Sequence, residues 1–345
     1  MGSPLRSRAV QVAVSVALAG LLLALFLRQV RFRELGQALS AVSPGWLAIG
    51  TGLALSSFGL RATRWTWLLR PIARVPWLPA FAATAVGFAA NNLPGKVGEV
   101  LRPAFLARTR KLPFSPLLAS IVLERVLDGI AVVFFFAFAM VAGLPRSGGL
   151  GRLAVPAAFM AAACAAVVFA VFRREQTERF LELFWGRLPE RFRPRVRAFA
   201  AAFIDGFATL RNPGLFLLVF LGSLGMWFVI NLQMAALIHA FGVSVPLSAA
   251  YVATTFAVLG LMVPTPGGLG SYHVAVQFAL TYFYGVPIAT ATAIALLAHA
   301  ISFVPVTIIG LGFLLAAPAA NSPDRGVEAP GRSPDHPTTR SPDSP

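Results

Sequence analysis

The chain has 345 residues, of which 57% are hydrophobic and only 12% charged, with a mean hydropathy of +0.75. Length alone would allow two soluble domains, but this apolar balance excludes ordinary soluble architecture and predicts an all-α, polytopic membrane bundle. The formal charge of +16 is spread over short segments between apolar runs. Cytoplasmic retention and anionic head groups account for it, and nucleic acid is not an expected partner.

Arg6 and Arg8 precede an apolar run over about 9–27. That run is longer than a signal-peptide core and lacks a clear cleavage site, so a retained first helix is expected. Further apolar segments lie at roughly 44–60, 78–93, 115–142, 153–172, 213–241, 247–263, 271–284 and 287–317. Ser43-Pro44, Ser115-Pro116 and Asn212-Pro213 each place a capping side chain before a proline suited to the first helical turn. Trp46, Trp65, Trp67 and Trp77 fall near segment ends, where interfacial aromatics gather. Over 173–211 the chain is Arg-rich, and Phe180, Phe184 and Leu188, then Phe199, Phe203 and Phe207, mark two amphipathic helices expected on the membrane surface. Cys164 is the single cysteine, so paired-cysteine metal sites and internal disulfides are excluded. A transmembrane unit over 1–317 is therefore expected, followed over 318–345 by a Pro- and Ser-rich tail with the composition of disorder.

Arginine placement predicts topology. Basic residues cluster at 61–74 (Arg61, Arg64, Arg70, Arg74), at 102–111 (Arg102, Arg108, Arg110, Lys111) and at 173–197. The positive-inside tendency puts all three in the cytoplasm. The first two flank 78–101, whose centre is Asn91-Asn92-Leu93-Pro94-Gly95-Lys96, a helix-breaking sequence. A hairpin that enters and returns keeps both clusters inside. A second break, Pro264-Thr265-Pro266-Gly267-Gly268-Leu269-Gly270, sits between short segments whose flanking loops carry no Lys or Arg, which predicts a hairpin from the outer side. The expected fold is about six full spans plus two opposed re-entrant hairpins in an inverted-repeat-like arrangement, with both termini cytoplasmic. Heavy Ala and Arg usage points to a bacterial cytoplasmic membrane.

Irregular backbone inside a membrane is tolerated only in protein or beside a wet cavity. The first break is followed by Lys96, Gly98, Glu99 and Arg102, and Glu124, Arg125 and Asp128 lie deep in the next apolar run. Each such charge costs about 2.5–3.5 kcal/mol on insertion scales, so mutual neutralisation is expected. Glu124 and Asp128 are four apart, on one helical face. Two readings stand side by side: a salt-bridge network that locks the hairpin, and a polar cavity for an anionic head group. At the second break a helix starting near Ser271 would present its first amides as an anion site, with His273 close by. His273 and His299 read as lone interior histidines, and Asn231, Gln233 and His239 as interhelical hydrogen-bond glue. Candidate substrate-binding residues are thus Asn91, Asn92, Pro94, Gly95, Lys96, Gly98, Glu99, Arg102, Glu124, Arg125, Asp128, Pro264, Pro266, Gly267, Gly268, Gly270, Ser271 and His273. No phosphate-binding loop, nucleophile elbow or zinc-protease motif occurs in the sequence, so no catalytic residue, metal or cofactor is assigned.

Asn91–Arg102, then Glu124, Arg125 and Asp128, then Pro264–Gly270 together resemble the flippase-like transmembrane region of lysylphosphatidylglycerol synthases. The resemblance covers nearly all of the chain to about residue 317. It implies a bundle with two re-entrant hairpins that moves lipid, carried on Pro94, Gly95, Gly98, Glu99, Arg102, Glu124, Arg125, Asp128, Pro266, Gly267 and Gly268. The synthases also carry a soluble domain that transfers lysine from tRNA. Only a short tail follows here, so that reaction is not expected of this chain. The expected partners are membrane lipids: anionic or aminoacylated phospholipid, or a polyprenyl-phosphate-linked lipid. The alternative is a non-transporting scaffold or accessory subunit whose partner is a lipid-modifying enzyme. Oligomeric state is left open.

Overall fold

The computed structural model describes residues 31–92, 97–141, 212–263 and 265–316, with a few positions between 17 and 26. Among the described residues all regular structure is helical. In chain order these are α1 (Phe32–Ser40), α2 (Pro44–Leu69), α3 (Trp77–Ala90), α4 (Gly98–Arg110), α5 (Phe114–Val141), α6 (Pro213–Ala240), α7 (Ser248–Met262), a short 3-10 turn (Pro266–Gly268), α8 (Ser271–Tyr284) and α9 (Ile288–Ala316). The expected span over 153–172, the amphipathic stretch over 173–211, most of the first helix and the tail lie outside the described residues.

Helix ends follow their local chemistry. The Asn212 side chain accepts from the Leu215 amide at 3.0 Å, and Pro213 occupies the first turn. Ser43 precedes Pro44 as expected, but its side chain makes no cap bond; its amide donates to the Ala240 carbonyl at 2.8 Å, which ties α2 to the end of α6. The helix expected from Ser115 begins earlier, at Phe114. Helix α1 was not foreseen from sequence, since its few apolar positions bury only Leu35 fully.

The principal difference from expectation is the length of α2. It does not stop near residue 60 but runs on to Leu69, because no proline or glycine interrupts Leu60–Arg70. Arg61 and Arg64 therefore lie within the bundle and are buried, rather than standing in a cytoplasmic loop. Trp65, expected at an interface, is fully buried for the same reason, whereas Trp46 and Trp77 remain well exposed.

Among the described residues two helices, α6 and α9, are long and apolar enough by composition to cross a bilayer; α1 and α2, bent by 88° at their junction, would together make a third. Helix α5 has 28 residues and could reach across, at about 1.5 Å per residue, but carries Glu124, Arg125 and Asp128 along its middle. The distribution of side chains is inverted relative to a soluble protein. Leu217, Leu221, Phe134, Phe138, Val304, Ile308 and Leu315 face outward, while Arg61, Arg64, Arg102, Glu124 and Asp128 are buried. Apolar exterior and ionic interior are what a bilayer solvent requires.

Four of the short helices pair as two hairpins: α3 with α4 and α7 with α8, their arms only 13 to 15 residues long. An arm of that length rises about 20 Å, less than a bilayer core. Each pair closes tightly near its tip. A Cβ on Gly98 would overlap the Gly87 carbonyl oxygen, and one on Gly260 would sit 2.6 Å from the Ser271 carbonyl oxygen. Behind the tips, Ala80 and Ala83 pack with Leu106 in the first hairpin, and Ala253 and Ala257 with Val276 and Leu280 in the second. Helix α2 lies along α6, and α9 lies along α3 and α8, enclosing both hairpins.

Candidate functional site

The tips of the two hairpins meet. The Gly267 amide donates to the Asn91 carbonyl at 3.2 Å, and Asn92 Nδ2 donates to Thr307 Oγ1 of α9 at 2.7 Å. Gly267 and Gly268 hold positive φ values of 58° and 74°, a backbone that a side chain would strain. A Cβ at Gly267 would also sit 2.9 Å from Asn92 Oδ1, so glycine is required twice over at this crossing. Asn91 Oδ1 accepts from the Gly98 amide at 3.0 Å and fixes the start of α4.

A cavity of about 360 Å³ lies on one side of the meeting tips. Its polar lining includes Arg61, Asn91, Glu99, Arg102, Arg125 and Asp128, and its backbone edges include Gly98, Gly267 and Gly268. Behind this wall lies an ionic cluster built from four helices. Glu124 and Asp128 share one face of α5, one turn apart. Asp128 Oδ1 accepts from Arg64 Nη1 at 2.6 Å and from Trp227 Nε1 at 3.0 Å, and Oδ2 accepts from Arg61 Nη1 at 3.1 Å. Glu124 Oε1 accepts from Arg102 Nη1 at 2.9 Å and Arg125 Nη2 at 3.0 Å, with Arg61 Nη1 at 3.3 Å. Arg64 also donates to Ser223 Oγ at 2.8 Å. The cluster thus joins α2, α4, α5 and α6 directly, while α7 and the second tip close the cavity opposite through Val258, Leu261 and Thr265.

Aromatic faces fix the guanidinium planes. The Arg102 guanidinium carbon is 3.9 Å from the centroid of Trp65, and Arg61 lies 5.3 Å from that of Phe88. Trp65 is itself anchored through Nε1 to Ser120 Oγ at 3.0 Å. Glu124, Arg64, Arg102, Asp128 and Arg61 are exposed by only 0%, 1%, 3%, 4% and 7%. Arg125 and Glu99 are half-exposed, with Arg125 Nε 3.9 Å from Glu99 Oε1.

A second cavity lies on the other side of the tip, bordered by Asn92, Pro266, Gly267, Leu269, His273, His299 and Thr307. The two histidines, which read as solitary in the sequence, are partners: His273 Nε2 is 3.0 Å from His299 Nδ1. The direction of this bond can be deduced. The Gly270 amide donates to His273 Nδ1 at 3.3 Å, so the neutral His273 carries its proton on Nε2 and donates to His299. His299 Nδ1 then accepts, which leaves the proton of neutral His299 on Nε2. Both rings are used as a directed clamp between α9 and the second turn.

Of the sequence-derived candidates, Asn91, Gly98, Glu99, Arg102, Arg125, Asp128, Gly267 and Gly268 converge on the first cavity, with Glu124 directly behind. Asn92, Pro266 and His273 border the second. Ser271 is not at either wall; its hydroxyl lies 2.9 Å from Thr265 Oγ1 and donates to the Gly268 carbonyl at 3.3 Å within the turn. The helix start at Ser271 is as expected, but the nearby Gly270 amide is held by His273 and does not face the charged cavity. Pro94, Gly95, Lys96 and Pro264 lie outside the described residues. Arg61, Arg64, Trp65 and Trp227 were missed as site residues. The available signal was Arg61 and Arg64 three apart on an unbroken helical stretch, the same face-sharing that marked Glu124 and Asp128. Gln233 does bridge helices, to Ser302 Oγ at 2.8 Å, whereas Asn231 Nδ2 donates back to its own helix at the Trp227 carbonyl.

The chain is similar to glycosyltransferase AglD of Haloferax volcanii, with 23% identity over 91% of the chain, and it spans about half (55%) of that relative's length. The family described as the lysylphosphatidylglycerol synthase TM region matches residues 12–310. With its apolar exterior, paired hairpins and buried ionic cluster, the chain belongs to the lysylphosphatidylglycerol synthase transmembrane-region family and is a membrane protein.

Proposed function

We propose that this protein moves a lipid between leaflets, with the head group passing through the charged cavity while the acyl chains stay in the bilayer. The observation that carries this reading is a buried guanidinium–carboxylate cluster bordering a cavity at the meeting point of two hairpin tips, inside a bundle whose exterior is apolar. Charges kept at such cost inside a membrane protein are the usual mark of a polar substrate route, and broken helices meeting near the middle of a bundle are the usual form of a transporter site. The arrangement in the membrane is six full spans plus the two hairpins entering from opposite sides, with both termini in the cytoplasm of a bacterial cell. The cargo classes are anionic or aminoacylated phospholipid and polyprenyl-phosphate-linked lipid, and the chain carries out no covalent chemistry on them.

Leaflet exchange in proteoliposomes tests the proposal directly. Labelled lipid of at least one class should equilibrate faster with the protein than without it. Folded protein that accelerates none of them would refute lipid movement. A second reading is favoured by one observation: the similarity covers only about half of a glycosyltransferase. On that reading the chain is the membrane scaffold of a lipid-modifying system. Glu99→Gln and Arg102→Ala then separate the two, since a scaffold retains both partner binding and cellular function, whereas a head-group route loses function with partner binding intact.

A further inference from the structure

Resting on the head-group reading of the cavity, we infer that this site takes a singly negative, phosphate-bearing lipid head group that carries no ammonium, and that it selects against aminoacylated lipid. Three features of the cluster lead there. The first is charge. Among the described residues the fully buried part contains three guanidiniums, Arg61, Arg64 and Arg102, against two carboxylates, Glu124 and Asp128. The half-exposed pair Arg125 and Glu99 adds nothing net. One positive charge is left over inside an apolar bundle, and one phosphodiester anion balances it.

The second feature is the set of unused donors. Arg102 is buried, lines the cavity and donates from Nη1 to Glu124, but its Nε and Nη2 have no hydrogen-bond partner in the protein. Arg125 Nε is likewise without one. Nε and Nη2 of a single guanidinium form the fork that binds two phosphate oxygens side by side, and Trp65 beneath Arg102 holds that fork in one plane. The third feature is the shortage of acceptors for a cationic guest. Both oxygens of Asp128 are taken by Arg64, Trp227 and Arg61. Glu124 Oε2 is also buried and unpartnered, but Glu124, unlike Arg102 and Arg125, does not border the cavity. Among the described residues that border the cavity, only Glu99, at the half-exposed edge, could receive an ammonium, and Arg125 already stands beside it. An aminoacyl group would bring its positive charge towards Arg61, Arg102 and Arg125 with no free buried carboxylate to meet it.

The test measures binding by the full chain in nanodiscs of phosphatidylcholine doped with phosphatidylglycerol or with lysyl-phosphatidylglycerol, using native mass spectrometry and tryptophan emission. Glycerol phosphate and inorganic phosphate serve as soluble competitors. Phosphatidylglycerol should bind at least tenfold more tightly than the lysylated lipid, and the soluble phosphates should compete only weakly. Arg102→Gln should remove most of that preference and Arg102→Lys should restore part of it, since Lys keeps the charge and loses the fork. The lipid comparison on the unaltered chain needs no variant, so a misfolded Arg102→Gln protein does not blunt the test. Equal or tighter binding of the lysylated lipid overturns the inference, and so does glycerol phosphate binding as tightly as the lipid. Selective binding without leaflet exchange supports this inference while defeating transport. Exchange that treats both lipids alike does the reverse.

Discussion

Asp128 is the residue on which the ionic cluster turns. It receives Arg64, Arg61 and Trp227 from two other helices at 2.6 to 3.1 Å. Removing its charge leaves the buried guanidiniums of Arg61 and Arg64 to share Glu124, which Arg102 and Arg125 already engage, and breaking a buried pair in this one-sided way typically costs about 3–5 kcal/mol. Asp128→Asn keeps the shape and one acceptor, so the loss it shows is chiefly electrostatic. The expected outcome is destabilisation of about 3–5 kcal/mol in detergent unfolding, well above that of Glu99→Gln at the half-exposed edge, where exposed pairs contribute about 0–1 kcal/mol. Equal losses for the two variants would show that the cluster is not electrostatically buried.

The hairpins depend on contact between backbones. Gly87 and Gly98 allow α3 and α4 to touch, because a Cβ on Gly98 would collide with the Gly87 carbonyl and one on Gly87 would lie 2.7 Å from Arg102 Cβ. That closeness sets the position of Arg102 against Glu124, so local backbone geometry reaches the site through a single turn of helix. Gly98→Ala should therefore force the arms apart, with a cost of about 1–3 kcal/mol from overpacking and a weakened Arg102–Glu124 contact. Gly225 on α6 is the matched control, since nothing lies within 4 Å of the position its Cβ would occupy. Gly225→Ala should be neutral or stabilising by about 0.5–1 kcal/mol through helix propensity. Thermal unfolding of the two single variants side by side checks the contrast.

For the whole molecule, the basic flanks set how the bundle sits in the bilayer. Burial of Arg61 and Arg64 takes them out of the positive-inside count, and the flank of the first hairpin is left with Arg70 and Arg74 on one side and Arg108, Arg110 and Lys111 on the other. Both flanks remain basic, so the proposed topology keeps its argument. Replacing Cys164 gives a cysteine-free background, and Thr109→Cys, at an exposed position near the end of α4, should then react with an impermeant maleimide only from the cytoplasmic side. Labelling from outside intact cells would reverse the orientation of that hairpin.

The sequence by itself determined the membrane class, the positions of most helices, both breaks and the acidic face of α5. Those features are written in local composition: apolar run length, Pro and Gly placement, and spacing of three or four residues. Tertiary structure alone decided which charges are partners. Arg61 and Arg64 lie sixty or more residues from Glu124 and Asp128, and the Arg61–Arg74 run looks like an ordinary cytoplasmic flank until α2 is seen to continue through it. The histidine pair was hidden for the same reason, with His273 and His299 on different helices. Two charges of one sign on α2 carry no local sign of their counterions, because ion pairing depends on distance in space and not along the chain. The surplus positive charge and the free face of Arg102 could be counted only once α2, α4, α5 and α6 had been brought around one cavity.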